Sequence, residues 1–223
     1  MRKLILAALV LLLFQTILYS AIPSKGQDKK GEKEKNIEKK VSIRADFSAG
    51  KFWVYQDKAA PVNRFAIRGW MGDIGDLRVN ENWKERPHTG VSCVKIIYSA
   101  KGSANLGWAG LYWFKDHDKA AKEVAYNLKG AKKLKFWARG ENGGENIDVF
   151  KVGGIKGQDP NSIPDSLSAQ LGPVILTKDW MEYEIDLAKK DLAYVTGGFC
   201  WKAKAKDNKN GCAFYLDDIR FEK

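Results

Sequence analysis

Apolar and polar side chains alternate with a period of two through much of this chain, in runs of five to nine residues. That is the signature of half-buried strands. The clearest runs lie in KKLKFWARGENGGENIDVFKVGGI, residues 132–155. Leu134, Phe136 and Ala138 point one way there, and Lys135, Trp137 and Arg139 the other. A turn follows from Glu141 to Glu145, where two glycines accept positive φ at little cost. Ile147, Val149 and Lys151 then alternate with Asp148, Phe150 and Val152. The pattern predicts a hairpin. Trp137 and Arg139 on its second face imply a contact there other than water: a second layer, an overlying loop or a ligand.

Strand-like runs recur elsewhere, on both sides of Ser48-Ala49-Gly50, from Phe65 to Trp70, from Leu77 to Val79, and in VSCVKIIYS. In GWAGLYWF, Trp108, Gly110 and Tyr112 alternate with Ala109, Leu111 and Trp113. In WMEYEIDL, Trp180, Glu182, Glu184 and Asp186 share a wet side, with Met181, Tyr183, Ile185 and Leu187 opposite. PVILT, VTGGFCWKA and CAFYLDDIRFE complete the set. DHDKAAKEVAYNL offers a helical turn, although Val124, Tyr126 and Leu128 fit the approach to a strand equally well. About ten short strands without a long amphipathic helix predict an all-β, antiparallel β-sandwich.

The charged start Met1-Arg2-Lys3 and the apolar run after it read as a signal peptide over residues 1–21. An uncleaved membrane anchor is the alternative, because Tyr19 fits the cleavage site poorly if Ala21 ends the signal. Residues 22–40 read as a charged flexible linker, with seven Lys and four acids from Ser24 to Lys40. Residues 41–223 form one domain. The expected location is secreted or periplasmic, in the cell envelope, with membrane contact only through an uncleaved anchor. The net charge of +11 includes the signal and linker lysines, and about +6 belongs to the domain. Its Lys residues are scattered except in KAKAKDNKN, residues 202–210. That cluster reads as a solvated hairpin loop, and no nucleic-acid partner is expected. Of three cysteines, Cys200 and Cys212 flank this loop and Cys93 sits in an apolar strand. A 200–212 disulfide and three buried free thiols are both open.

His88 and His117 are the only histidines, and neither belongs to a metal-ligand spacing. Asp73 with Asp76, Glu141 with Glu145, and Asp217 with Asp218 are close in sequence, as turns and strand ends often are without chemistry. No nucleophile-elbow, phosphate-loop or dinucleotide motif is present. A non-catalytic protein is expected. Eight Trp give an ample supply of flat apolar surfaces for stacking sugar rings. Trp70, Trp113, Trp137 and Trp201 lie beside polar or glycine residues and are the candidate platforms. Arg139, Glu141 and Glu145 are candidate polar contacts, with a salt bridge to Glu141 or Glu145 as the rival role for Arg139. Trp53, Trp108 and Trp180 are assigned to the core or to sheet edges.

YNLKGA at residues 126–131, LKFWARG at 134–140, LTKDW at 176–180 continuing to Asp186-Leu187, and FYLDDIRF at 214–221 occur in an order that resembles the galactose-binding-like jelly-roll superfamily, which contains many carbohydrate-binding modules. GWMGD, GWAGLYW, FWARGENGGE, VGG and GGFCW look like a group of exported bacterial proteins of this fold. The resemblance implies a jelly roll that binds a poly- or oligosaccharide through an aromatic and polar sheet face. It also implies a structural calcium ion between first and last strands, with Asp217 or Asp218 and Asp46 as ligand candidates. The alternative is a protein-interaction or assembly role, as in the complex I intermediate-associated family. A glycan-active enzyme ranks behind both.

Overall fold

The computed structural model describes residues 42–115, 125–156 and 164–223. The signal, the linker, His117 and most of the expected helical turn lie outside the described residues. The chain runs through β1 (Ser42–Arg44), β2 (Lys51–Tyr55), β3 (Phe65–Gly72), β4 (Leu77–Trp83) and β5 (Cys93–Tyr98). It continues through β6 (Trp108–Lys115), β7 (Ala125–Asn127), β8 (Lys133–Gly140), β9 (Asn146–Ile147) and β10 (Val149–Gly153). Then come β11 (Ser168–Leu171), β12 (Val174–Ile175), β13 (Met181–Asp186), β14 (Gly197–Lys204) and β15 (Cys212–Glu222). Short 3₁₀ turns cover Ile74–Asp76 and Ala205–Asp207.

Two sheets form a jelly-roll sandwich. One has the order β11-β10-β14-β6-β3, and the other β13-β8-β15-β5-β4 with β2 also paired to β15. All of their pairings are antiparallel, while the small β1–β7 pair is parallel. Phe136 occupies the centre of the core, with its ring centroid 4.7 Å from Phe150, 5.0 Å from Phe199 and 5.6 Å from Tyr183.

Residues 132–155 do not form the expected hairpin. β8 and β10 belong to opposite sheets, and the 141–145 turn carries the chain across the sandwich. Phe136 and Phe150 therefore meet across the core, with their rings inclined by 52°, instead of lying side by side in one sheet. The crossing is braced by Glu145, which is buried and accepts the Asn142 N–H at 2.8 Å. Residues 202–210 likewise cross from β14 in one sheet to β15 in the other, so they are not a hairpin loop. Lys202 and Lys204 belong to β14 and pair with Asp148 at 2.7 and 2.5 Å. Cys200 and Cys212 thus sit in different sheets, and all three cysteines are buried free thiols.

Trp113 and Trp201, expected as sugar platforms, are fully buried in the core. Their glycine neighbours mark close packing, not exposure: a Cβ on Gly110 would lie 2.5 Å from the Trp201 carbonyl oxygen, and one on Gly198 2.5 Å from the Phe65 ring. Replacing Phe136 or Trp201 by Ala should cost about 3–5 kcal/mol. For a domain of this size that corresponds to a melting temperature lower by roughly 6–20 °C. Trp70→Ala, at an exposed position, should change it by no more than a degree or two, on the order of 0.5 kcal/mol. Thermal unfolding followed by circular dichroism checks both.

Candidate functional site

The outer face of the β13-β8-β15-β5-β4 sheet gathers the unusual residues. β15 opposes β8 with Tyr215 beside Arg139 and Asp217 beside Trp137, and after a register shift Arg220 beside Lys135. Three steps on β15 match two on β8, a β-bulge of one extra residue, with Asp218 at φ 49°. Phe214 and Leu216 before the bulge and Ile219 and Phe221 after it all reach the core. The extra residue is what lets Asp217 and Asp218 both leave that side. Across the same bulge β15 exchanges one neighbour, β5, for another, β2.

The segment between β4 and β5 folds back over this face and is held by the two carboxylates. Asp217 Oδ2 accepts the His88 N–H at 2.8 Å and the Thr89 N–H at 3.4 Å. Asp218 Oδ2 lies 2.7 Å from His88 Nδ1, and Thr89 Oγ1 donates to both Asp218 oxygens at 3.0 and 2.8 Å. Asp57 anchors the far end, accepting the Val91 and Ser92 N–H groups at 2.8 and 2.7 Å. The His88 ring stacks on Trp137, with centroids 3.7 Å apart and planes inclined by 14°. The overlying contact implied by Trp137 is thus supplied by this loop.

His88 divides the face. On one side is a cavity of about 260 Å³ lined by Trp53, Gln56, Thr89, Trp137, Asp218 and Arg220 together with Lys51 and His88. That is small, the scale of a sugar ring and its hydroxyls more than of a drug-sized ligand. Arg220 is fixed there by Glu222 at 2.7 Å, Glu182 at 2.6 Å and the Asp218 carbonyl at 2.9 Å. On the other side Arg139 lies 3.6 Å over the Tyr215 ring and 5.3 Å from that of Trp180. Lys95 stands 4.1 Å over Trp83, and the Tyr215 hydroxyl donates to Glu141. That bond, supported by Lys95 and Arg139, holds the Glu141 carboxyl below its usual range against some desolvation.

Asp217 is displaced the opposite way. Burial first, and the adjacent Asp218 charge second, push it up to about 8, against backbone N–H groups that favour the ion. Burial also raises the Cys93 thiol to about 12.

Of the residues expected to form the site, Trp137, Arg139 and Glu141 lie on this face. Glu145 is buried in the crossing turn, and Trp70 is 46% exposed on β3, an edge strand of the other sheet. Trp113 and Trp201 are core. Asp217 and Asp218 lie on the face, but Asp46 precedes β2 near Lys223, accepting the Ser48 N–H at 2.8 Å. Because β2 pairs Lys51 with Glu222, Asp46 sits beyond the opposite end of β15 from Asp217. Asp46 therefore does not join Asp217 and Asp218, and among the described residues no group of three or more acidic, His or Cys side chains is arranged to hold a metal. Trp53, on β2, and Trp180, next to the edge strand β13, lie at the sheet's margins as expected, and there they flank His88 on this face. The wet side of WMEYEIDL already pointed to Trp180. His88 and Thr89 gave no signal, since they lie about 130 residues from their partners.

No protein-family model matches the chain, and no curated protein matches it in sequence. Among solved structures, two crystal structures of a family 30 carbohydrate-binding module are similar. Each superposes with a TM-score of 0.52, at 14% and 15% identity, covering 77% and 78% of this chain and 87% and 98% of theirs. At such identity the likeness is one of fold, and it agrees with the jelly roll traced above.

The raised Asp217 gives a signed pH dependence. The folded chain holds this proton over a range where the unfolded chain has lost it, so stability falls as pH rises from about 4 to about 8. Asp218→Asn keeps an acceptor, tolerates the positive φ and removes the like charge. The decline in melting temperature between pH 5 and 8.5 should be shallower in this variant than in the wild type. Parallel profiles would show that the Asp217–Asp218 pair does not carry the effect.

Proposed function

We propose that this is a non-catalytic carbohydrate-binding domain that takes a glycan on the outer face of the β13-β8-β15-β5-β4 sheet. The observation that carries the reading is the cavity between Trp53 and Trp137, where apolar ring surfaces meet Gln56, Thr89, Asp218 and Arg220. Sugar recognition needs this combination: an aromatic surface for the C–H side of a pyranose, and oriented polar groups for its hydroxyls. The carbohydrate-binding modules of like fold support the class of ligand. The Asp217–Asp218 pair is engaged in holding residues 88–89, which fits a binding face better than acid–base chemistry. Residues 1–21 would export the domain and residues 22–40 would tether it, which suits capture of an extracellular or envelope polysaccharide.

A second reading rests on a different surface. Trp70, Ile74 and Leu106 are 46–55% exposed around the turn that Asp73 organises through the Ala104, Leu106 and Gly107 N–H groups. Such a patch suits a protein partner.

Retention on immobilised polysaccharides separates the two. Trp53→Ala and Trp137→Ala should each weaken retention at least 10-fold, about 1.4 kcal/mol, with the β-sheet circular dichroism preserved. Trp70→Ala should leave it unchanged. Unaltered retention in both cavity variants, or loss only in Trp70→Ala, would contradict the proposal.

A further inference from the structure

Two arginines on the same sheet face are treated in opposite ways. Arg220 and Arg139 are both buried, at 7% and 4% exposure. Arg220 is paired to two carboxylates and a carbonyl. Arg139 makes one long bond, from Nη1 to the neighbouring Gly140 carbonyl at 3.4 Å, and has no carboxylate within ion-pair distance among the described residues. Its Nε is buried without a partner. Contact with the Tyr215 and Trp180 rings engages the flat face of a guanidinium, but it leaves the N–H edge unsatisfied. A buried cation in this state is costly unless something negative completes it.

Its surroundings point to the sign of that group. The Trp83 Nε1–H, another donor, is also buried without an acceptor, and Trp83 packs 6.3 Å from the same Tyr215 ring. Lys95 stands over Trp83 and Tyr215. Glu141, an acid close enough to feel the Arg139 charge, already accepts from Tyr215 and lies 3.8 Å from Lys95. Two cations and an orphan donor thus border the Tyr215 ring, where one engaged carboxylate is present. The cover is light: Trp180 is held by an Nε1–H bond to the Arg86 carbonyl at 3.0 Å, and Arg86 by an exposed pairing with Asp179 at 3.8 Å. Such a surface pair contributes about 0–1 kcal/mol, so what displacing Trp180 gives up is chiefly its Nε1–H bond and its ring contacts with His88, Arg139 and Tyr215.

Building on the glycan-binding reading, we infer that the ligand is an acidic glycan, whose ring-borne carboxylate or sulfate docks on Arg139, with Lys95 adding to the positive field, when Trp180 moves aside. Neighbouring rings of the same chain reach the Trp53–Trp137 cavity. A planar carboxylate suits the forked donors of Arg139, and a sulfate ester offers the same acceptor chemistry.

The test is binding of the purified protein to three soluble glycans: a polygalacturonate, a sulfated galactan and a neutral β-glucan. Wild type and Arg139→Met are compared at low and high salt. The inference expects an acidic glycan to bind at least 10-fold more tightly than the neutral one, weakening with salt. It expects Arg139→Met to remove that preference with a melting temperature within a few degrees of wild type, because the guanidinium has no carboxylate within ion-pair distance and Met keeps much of its apolar contact with the Tyr215 and Trp180 rings. A preserved preference in Arg139→Met would overturn the inference, as would a variant that melts several degrees lower with its preference intact. Stronger binding of the neutral glucan, lost in Trp53→Ala or Trp137→Ala, would overturn it while leaving the glycan-binding reading standing. Absence of binding to all three would remove both.

Discussion

The β-bulge in β15 is the constraint on which the rest of the structure depends. Without the extra residue, alternation from Phe214 and Leu216 would carry Asp218 into the core and turn Ile219 and Phe221 out of it. With it, four apolar side chains stay inside, and two carboxylates emerge together beside Trp137. The same step frees one edge of β15 from β5 and offers it to β2, which brings Trp53 alongside Arg220. The cost is a non-glycine residue at positive φ and two adjacent acids in a place of little water. The loop bearing His88 and Thr89 offsets that cost by donating to both acids. Fold and candidate site are therefore one arrangement.

Strand positions and the β-sandwich class were legible because one apolar face per strand leaves a period of two, and β13 shows it clearly; the jelly-roll class followed from the resemblance carried by the ordered motifs. Sheet membership was not legible. β8 and β10 alternate as hairpin partners would, yet the same alternation arises when two strands face each other through a core. Only tertiary contact, such as Phe136 on Phe150, distinguishes them. The error at residues 202–210 has the same origin, and with it the thought of joining Cys200 to Cys212.

For the site, alternation placed Trp137 and Arg139 together on the outward side of β8 and implied that something covers them. It failed for Trp113 and Trp201, whose glycine neighbours were taken as openness and are close-packing sites instead. Simple alternation does not carry across the bulge, because a single inserted residue inverts every position after it, which is how Asp218 joins Asp217 on the outward side. His88 reaches the site from a loop without a pattern of its own. Its role follows from a fold that brings residue 88 to residue 218.

The most direct test of the central claim, that this sheet face takes a glycan, is the set of tryptophan indole N–H resonances in a ¹H–¹⁵N NMR titration with the retained polysaccharide. The account predicts saturable shifts for Trp53, Trp137 and Trp180, and none for the core indoles of Trp113 and Trp201. Shifts confined to Trp70 and Trp108 would place the binding surface on the other sheet and contradict it.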